Sequence, residues 1–221
     1  VLATALGVPP DLAGQLTPIA EMDDLITERT GAKPGTFGGF FSLTPRVDDI
    51  PDRFSVVHEG VRVLKLGGIE AGGSGCMCPE SALLKALVTH LLLYRNEMMV
   101  MDMEAGVEHL GRATTQAVDA MLIVVEPGRR SIEVAGRIRE LAGDLGLTRL
   151  YAVGNRVRTE EDRDFIAQNS PVPVAGYLSA SSQVIEADLR GVAVYRAAPQ
   201  ALEEARAIAV FLEDRAQERG M

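Results

Sequence analysis

Cys76 and Cys78 flank a single methionine and are the only cysteines among the 221 residues. On extended backbone, side chains two positions apart point to the same side, so both sulfurs can reach one ion at about 2.3 Å. Two thiolates fill half of a tetrahedral metal site, and two copies of the chain facing each other across a two-fold axis supply four. The chemistry suggested is therefore metal handling by a homodimer. Cysteines this close are poorly placed for an intrachain staple, and in a reducing compartment they read as a metal site first and a redox site second. Inert packing is the remaining alternative. Against it stand Gly67, Gly68, Gly72, Gly73 and Gly75, which make the preceding segment a poor place to bury a side chain.

Other candidates follow apolar runs, because ligands of doubly wound α/β sheets sit at the carboxyl ends of strands. Asp102-Met103-Glu104-Ala105-Gly106 leaves the run Met98 to Met101. An Asp there can hold Mg²⁺ through water, and the Gly106 N–H can approach a terminal phosphate with no Cβ in the way. The same spacing also serves to cap a helix. Asn155, in Asn-Arg-Val-Arg, offers a donor and an acceptor to the edge of an adenine, or simply favours a turn. Ser179-Ala180-Ser181-Ser182 borders a nucleotide or caps the next helix, and Glu126-Pro127-Gly128 with Ser131 reads as turn and cap chemistry with no further role. His58, His90 and His109 are scattered and read as structural or surface residues, and Met98, Met99, Met101 and Met103 read as core filler. None of Lys33, Lys65 and Lys85 follows a glycine and precedes Ser or Thr, so a phosphate-cradling lysine loop is missing.

The elements that must position these residues follow from periodicity. Val1 to Leu6 reads as helix ending at Gly7, Leu16 to Thr30 as a short helix, and Gly31 to Gly39 as surface loop. Val61 to Leu66 suits a strand. After the cysteines, Glu80 or Ser81 opens a helix whose Leu83, Leu84, Leu87, Val88, Leu91 and Leu92 form one apolar face, expected to pack on a sheet. Apolar runs at Met98–Met103, Met121–Val125, Leu150–Val153 and Val174–Leu178 read as strands buried on both faces. Helices over Ser131–Leu145, Glu160–Asn169 and Ser182–Leu189 alternate with them, and Ala198–Arg215 closes the chain. This rhythm predicts an α/β fold, a doubly wound, mostly parallel sheet with helices on both faces.

A chain of this length that is 47% hydrophobic accommodates one domain, residues 1–221. The net charge of −9 argues against a broad grip on nucleic acid or on an anionic membrane surface. No apolar segment approaches the roughly 18 residues of a membrane span and no leader pattern is present, so a soluble, cytoplasmic protein is expected.

Taken together, Gly-Ser-Gly-Cys-Met-Cys at 73–78, Met-Asp-Met-Glu-Ala-Gly-Val-Glu-His-Leu at 101–110, Val-Glu-Pro at 125–127 and Asn-Arg-Val-Arg at 155–158 resemble one family. It is the nickel-insertion ATPase that matures carbon monoxide dehydrogenase, a P-loop NTPase related to the partitioning and septum-site ATPases with a deviant Walker A loop. The resemblance runs in matching order from Val1 to the C-terminal helix, and the cysteine triplet is its specific part. It implies an ATP-dependent homodimer in which Cys76 and Cys78 of both subunits bind Ni²⁺ or Zn²⁺, with carbon monoxide dehydrogenase as client. Asp102 would assist Mg²⁺, Gly106 would sense the γ-phosphate, and Asn155 with Arg156 would face adenine, Arg standing where the family commonly has Lys. The family opens with a strand, phosphate loop, helix and strand that these residues lack. The expectation is therefore a piece of a longer ATPase that does not hydrolyse ATP as it stands. A partitioning-type ATPase and a non-catalytic metal-binding or redox module are the alternatives; the acidic balance weighs against the first.

Overall fold

The computed structural model describes residues 2–35, 40–67, 78–94, 98–103 and 118–217. The elements are α1 (Leu2–Ala5), α2 (Pro10–Ala13), a 3-10 turn at Ile19–Glu21, α3 (Asp23–Thr30), α4 (Ile50–Phe54), β1 (Val56–His58), β2 (Val61–Val63) and α5 (Pro79–Tyr94). They continue with β3 (Met121–Val125), α6 (Arg129–Asp144), β4 (Leu150–Val157), α7 (Glu160–Asn169), β5 (Val174–Ser179), α8 (Ser182–Arg190), α9 (Val194–Ala197) and α10 (Pro199–Gln217). They group into two compact units, Val8–Met101 and Val1–Gly7 with Asp102–Met221.

In Val8–Met101 the core is helical. Leu83, Leu84 and Leu87 of α5 close on Ile19, Leu25, Ile26, Val47 and Ile50. The leucine periodicity gives the buried face of α5 at Leu83, Leu84, Leu87 and Val88, and among the described residues that face packs against α3 and the 3-10 turn, not on the expected sheet. The expected helix over Leu16–Thr30 divides into the 3-10 turn and α3, because Met22 leaves helical conformation with ψ at 76°. The strand expected at Val61–Leu66 is shorter and antiparallel, a hairpin with β1 in which His58 pairs with Val61. Past its end the backbone still bonds, Ile19 N–H to Lys65 O at 3.0 Å and Ala20 N–H to Leu66 O at 2.9 Å. Arg29, 9% exposed at its side chain, donates from both terminal nitrogens to Asp49 at 2.8 Å, tying α3 to the start of α4.

The other unit holds a three-stranded parallel sheet in the order β3-β4-β5, in an α/β arrangement consistent with a P-loop NTPase-like fold. Ile132, Ala135 and Ile138 of α6 and Ile166 of α7 cover Ile123, Val125 and Ala152 on one face. On the opposite face α10 lies against β5 and β4: a Cβ on Gly176 would stand 2.6 Å from Ile208 Cγ1, and Tyr151 and Phe211 meet edge to face at 5.1 Å. Helices therefore flank both faces, as the βα rhythm predicts. Burial on both faces holds for β4 but not for β3, whose Leu122 and Val124 are exposed. Continuous apolar sequence states what a strand tolerates, and only a covering element on each side makes it a buried strand.

The expected strand at Met98–Met103 is not formed. Those residues are irregular, and Met98 and Val100 are more than four-fifths exposed. Of the methionines expected as core filler, Met98 is exposed, while Met99, Met101 and Met103 are half-buried.

Candidate functional site

Among the described residues, the carboxyl ends of β4 and β5 bring Asn155 and Arg156 beside an open cleft. Gly154 pairs with Tyr177 and Val157 with Ser179, so Asn155 and Arg156 stand opposite the single residue Leu178. That is a β-bulge, which increases local twist and re-aims side chains. Arg156 takes φ 54°, a left-handed conformation that non-glycine residues adopt at a cost. Its guanidinium reaches Glu126 Oε1, at the end of β3, at 3.3 Å, and the Glu126 N–H donates to Ser131 Oγ at 2.9 Å. Asn155 is half-buried in the same bulge.

Immediately beyond the bulge lies a cleft of about 180 Å³ lined by Val157, Arg158, Thr159, Glu160, Arg163 and Ser179. Pockets enclosing a whole drug-sized ligand run to roughly 300–1,000 Å³, so this volume suits a ring system rather than an entire nucleotide. Its rim is tied by local hydrogen bonds. Thr159 is the N-cap of α7 and accepts the Asp162 N–H at 3.3 Å, while Asp162 Oδ2 accepts from the Arg158 backbone N–H at 3.0 Å and from Arg158 Nε at 3.1 Å. The Arg158 side chain and then its backbone hold the Asp162 carboxyl below its ordinary value. Arg163 lies over the Tyr177 ring at 5.2 Å from its centroid, a cation–π contact that holds the guanidinium at the cleft wall.

Ser179 closes the other wall. Its N–H and its hydroxyl both donate to Glu204 of α10, at 2.8 and 2.6 Å, and Gln200 Nε2 donates to the same carboxylate at 3.1 Å. Burial pushes the Glu204 carboxyl up, but the hydrogen bonds from Ser179 and Gln200 outweigh it and leave the group below its ordinary value. Ser179 is thus a cleft residue. Ser181, the N-cap of α8, makes no side-chain cap bond.

Cys78 lies in the other compact unit, at the N-cap of α5, where the Ala82 N–H donates to its carbonyl at 3.1 Å. Pro79 at the first helical position fixes the entry into the helix. The half-buried thiol donates to the buried Ser81 hydroxyl at 3.2 Å. Two residues on, Glu80 accepts the Gly35 N–H at 2.7 Å, fastening the glycine-rich stretch to the same helix end. Cys76 and Gly106 lie outside the described residues. Asp102 is exposed in irregular chain and does not line the cleft. Among the described residues no three His, Cys, Asp or Glu side chains converge on a common point.

No family model matches the chain. Over 215 residues, 97% of its length, it is 41% identical to the carbon monoxide dehydrogenase accessory protein CooC of Rhodospirillum rubrum, of which it covers 81%. The chain belongs to the CooC family. It is also 42% identical over 193 residues to an uncharacterized ATP-binding protein of Methanocaldococcus jannaschii, covering 86% of this chain and 74% of that protein. A second uncharacterized ATP-binding protein of that organism is 32% identical over 123 residues, 56% of this chain and 49% of that protein.

For a CooC-family chain, sequence reasoning missed most of the cleft. Arg158 and Thr159 follow Asn155 closely enough for the strand-end rule to reach them. Arg163 stands a full turn into α7, and Glu204 lies 25 residues beyond its partner Ser179, so no local pattern marks either. Glu126, read as turn chemistry alone, is the ion-pair partner of Arg156. No helix among the described residues is long and apolar enough to cross a membrane.

Proposed function

We propose that this chain acts in an ATP-dependent metallochaperone that inserts nickel into carbon monoxide dehydrogenase during its maturation, working as a cytoplasmic homodimer. Cys76 and Cys78 of two subunits share one Ni²⁺ or Zn²⁺, a four-sulfur set suited to either ion. The ion is cargo, held by thiolates and passed on. Asn155 and Arg156 face adenine beside the cleft, Asp102 assists Mg²⁺ and Gly106 senses the γ-phosphate.

The observation that carries the reading is the placement of Cys78. The Cys78 sulfur stands at the proline-led start of a sixteen-residue helix, and its companion lies two residues upstream after a run of glycines. The likeness to a carbon monoxide dehydrogenase accessory protein supplies the client. The likeness to ATP-binding proteins, with a ring-sized cleft at the strand ends, supports the nucleotide.

Metal content and sedimentation measured together test this reading. With Ni²⁺ and ATP–Mg²⁺ present, the expected species is a dimer carrying one ion per two chains, with the ion lost in both Cys76→Ser and Cys78→Ser. A monomer keeping one ion per chain, or a dimer whose metal survives either substitution, would overturn it.

A further inference from the structure

We infer that Glu204, on the last helix, sets which purine the cleft accepts, by fixing the Ser179 hydroxyl as a hydrogen-bond acceptor toward the ligand. The inference rests on the reading of the cleft as a nucleotide-base site and adds a basis for discrimination to it.

An ionised carboxylate accepts hydrogen bonds and donates none. Glu204 takes both protons that Ser179 has to offer, and the 2.6 Å separation from the hydroxyl is that of a charge-assisted O–H···O⁻ bond. The hydroxyl proton is therefore committed to α10, and what Ser179 Oγ retains for the cleft is lone-pair density. Arg163, pinned over Tyr177 at the cleft wall, favours the charged form of Glu204. Glu204 does not itself line the cleft, so it acts through Ser179 and is a positioning residue.

A ligand that meets Ser179 Oγ must bring a donor. Adenine carries an amino group at C6. Hypoxanthine and guanine carry a carbonyl oxygen there, which would set lone pairs against lone pairs. A site built around one hydrogen-bond polarity rejects the analogue of opposite polarity because a polar group is left unpaired on desolvation.

The test uses adenosine and inosine, which bear no phosphate and differ at C6, titrated against the ¹⁵N-labelled chain while the amide resonances of Val157, Ser179 and Ala180 are followed. The wild type is expected to bind adenosine about tenfold more tightly than inosine, the size of one polar mismatch. In Glu204→Gln the side-chain amide can donate to Ser179 Oγ, freeing the hydroxyl proton to turn into the cleft. The adenosine-to-inosine ratio should then fall to within about twofold. Ser179→Ala should bring the ratio down in the same way, and it carries the test alone should Glu204→Gln fail to fold. A purely structural role for Glu204 would weaken both nucleosides equally and leave the ratio unchanged. That result, with adenosine still shifting the three amides, overturns the inference and spares the base-site reading. If neither nucleoside shifts them in the wild type, the base site falls and the inference with it.

Discussion

Arg156 holds a left-handed backbone at φ 54° without the freedom of glycine, and its ion pair with Glu126 joins two exposed side chains. Strain of about 1–2 kcal/mol is set against a surface pair worth at most about 1 kcal/mol, so the arginine is not retained for stability. Arg156→Gly should leave the melting temperature unchanged or slightly higher while weakening adenosine-nucleotide affinity. Arg156→Ala, which keeps the strained φ, should melt lower than the glycine variant by about 1 kcal/mol. A glycine variant destabilised by more than about 2 kcal/mol would make the residue structural. Asp49 is the opposite case. The Arg29 side chain first, and then Arg53, hold its carboxyl well below the usual carboxylate range. A carboxyl depressed in the folded state favours folding above its unfolded value near pH 4, and that contribution is lost as pH falls through the depressed folded value. Asp49→Asn should therefore cost about 2 kcal/mol at pH 7, where Arg29 keeps its charge but loses a charged partner, and progressively less in acid. Chemical denaturation of both proteins from pH 7 to pH 2 checks this, with the difference between the two stabilities narrowing below about pH 4.

At the scale of elements, the sheet depends on two glycines whose missing side chains admit a neighbour. A Cβ on Gly154 would stand 2.6 Å from Tyr177 Cδ1 and 3.0 Å from Ile166 Cδ1, and one on Gly176 would meet Ile208 Cγ1. Gly176→Ala should destabilise by about 1–3 kcal/mol through overpacking, because Ile208 Cγ1 is near the backbone of α10 and cannot swing clear. Adding Ile208→Ala should then cost less than it does alone, a coupling that thermal melts of the single and double variants measure. Much of this architecture was legible in the sequence. Met121–Val125 and Glu160–Asn169 are located to the residue, and β4 and β5 start where their apolar runs start, because parallel strands flanked by helices leave a continuous apolar signature. The rest was not legible, for reasons of partnership. The run Met98–Met103 has a strand's composition yet is irregular, with Met98 and Val100 exposed, and the leucines of α5 state which face is buried without stating that helices cover it. The candidate site divides in the same way. Asn155 and Arg156 were readable from position after a strand, whereas the bulge that displaces them is a matter of register between β4 and β5, and Glu204 enters through tertiary packing alone.

For the whole molecule, the proposed function separates its two ligands. Cys78 belongs to Val8–Met101, and Asn155 and Arg156 belong to the unit containing the parallel sheet. If ATP governs the hold on a shared ion, the two binding events are joined by a coupling free energy, and such coupling is reciprocal: the factor by which nucleotide changes metal affinity equals the factor by which metal changes nucleotide affinity. Couplings between distinct sites commonly amount to about 5–150-fold. Four equilibrium measurements close the cycle on the dimeric protein: Ni²⁺ affinity with and without a non-hydrolysable ATP analogue and Mg²⁺, and analogue affinity with and without Ni²⁺. The two ratios should agree and differ from one by at least about fivefold. Cys78→Ser should abolish the metal arm while leaving analogue affinity at its metal-free value, because the substituted residue lies outside the base cleft. Ratios of one in both directions would mean that metal and nucleotide bind independently, and the chain would then be a metal-binding module whose release is governed by something other than ATP.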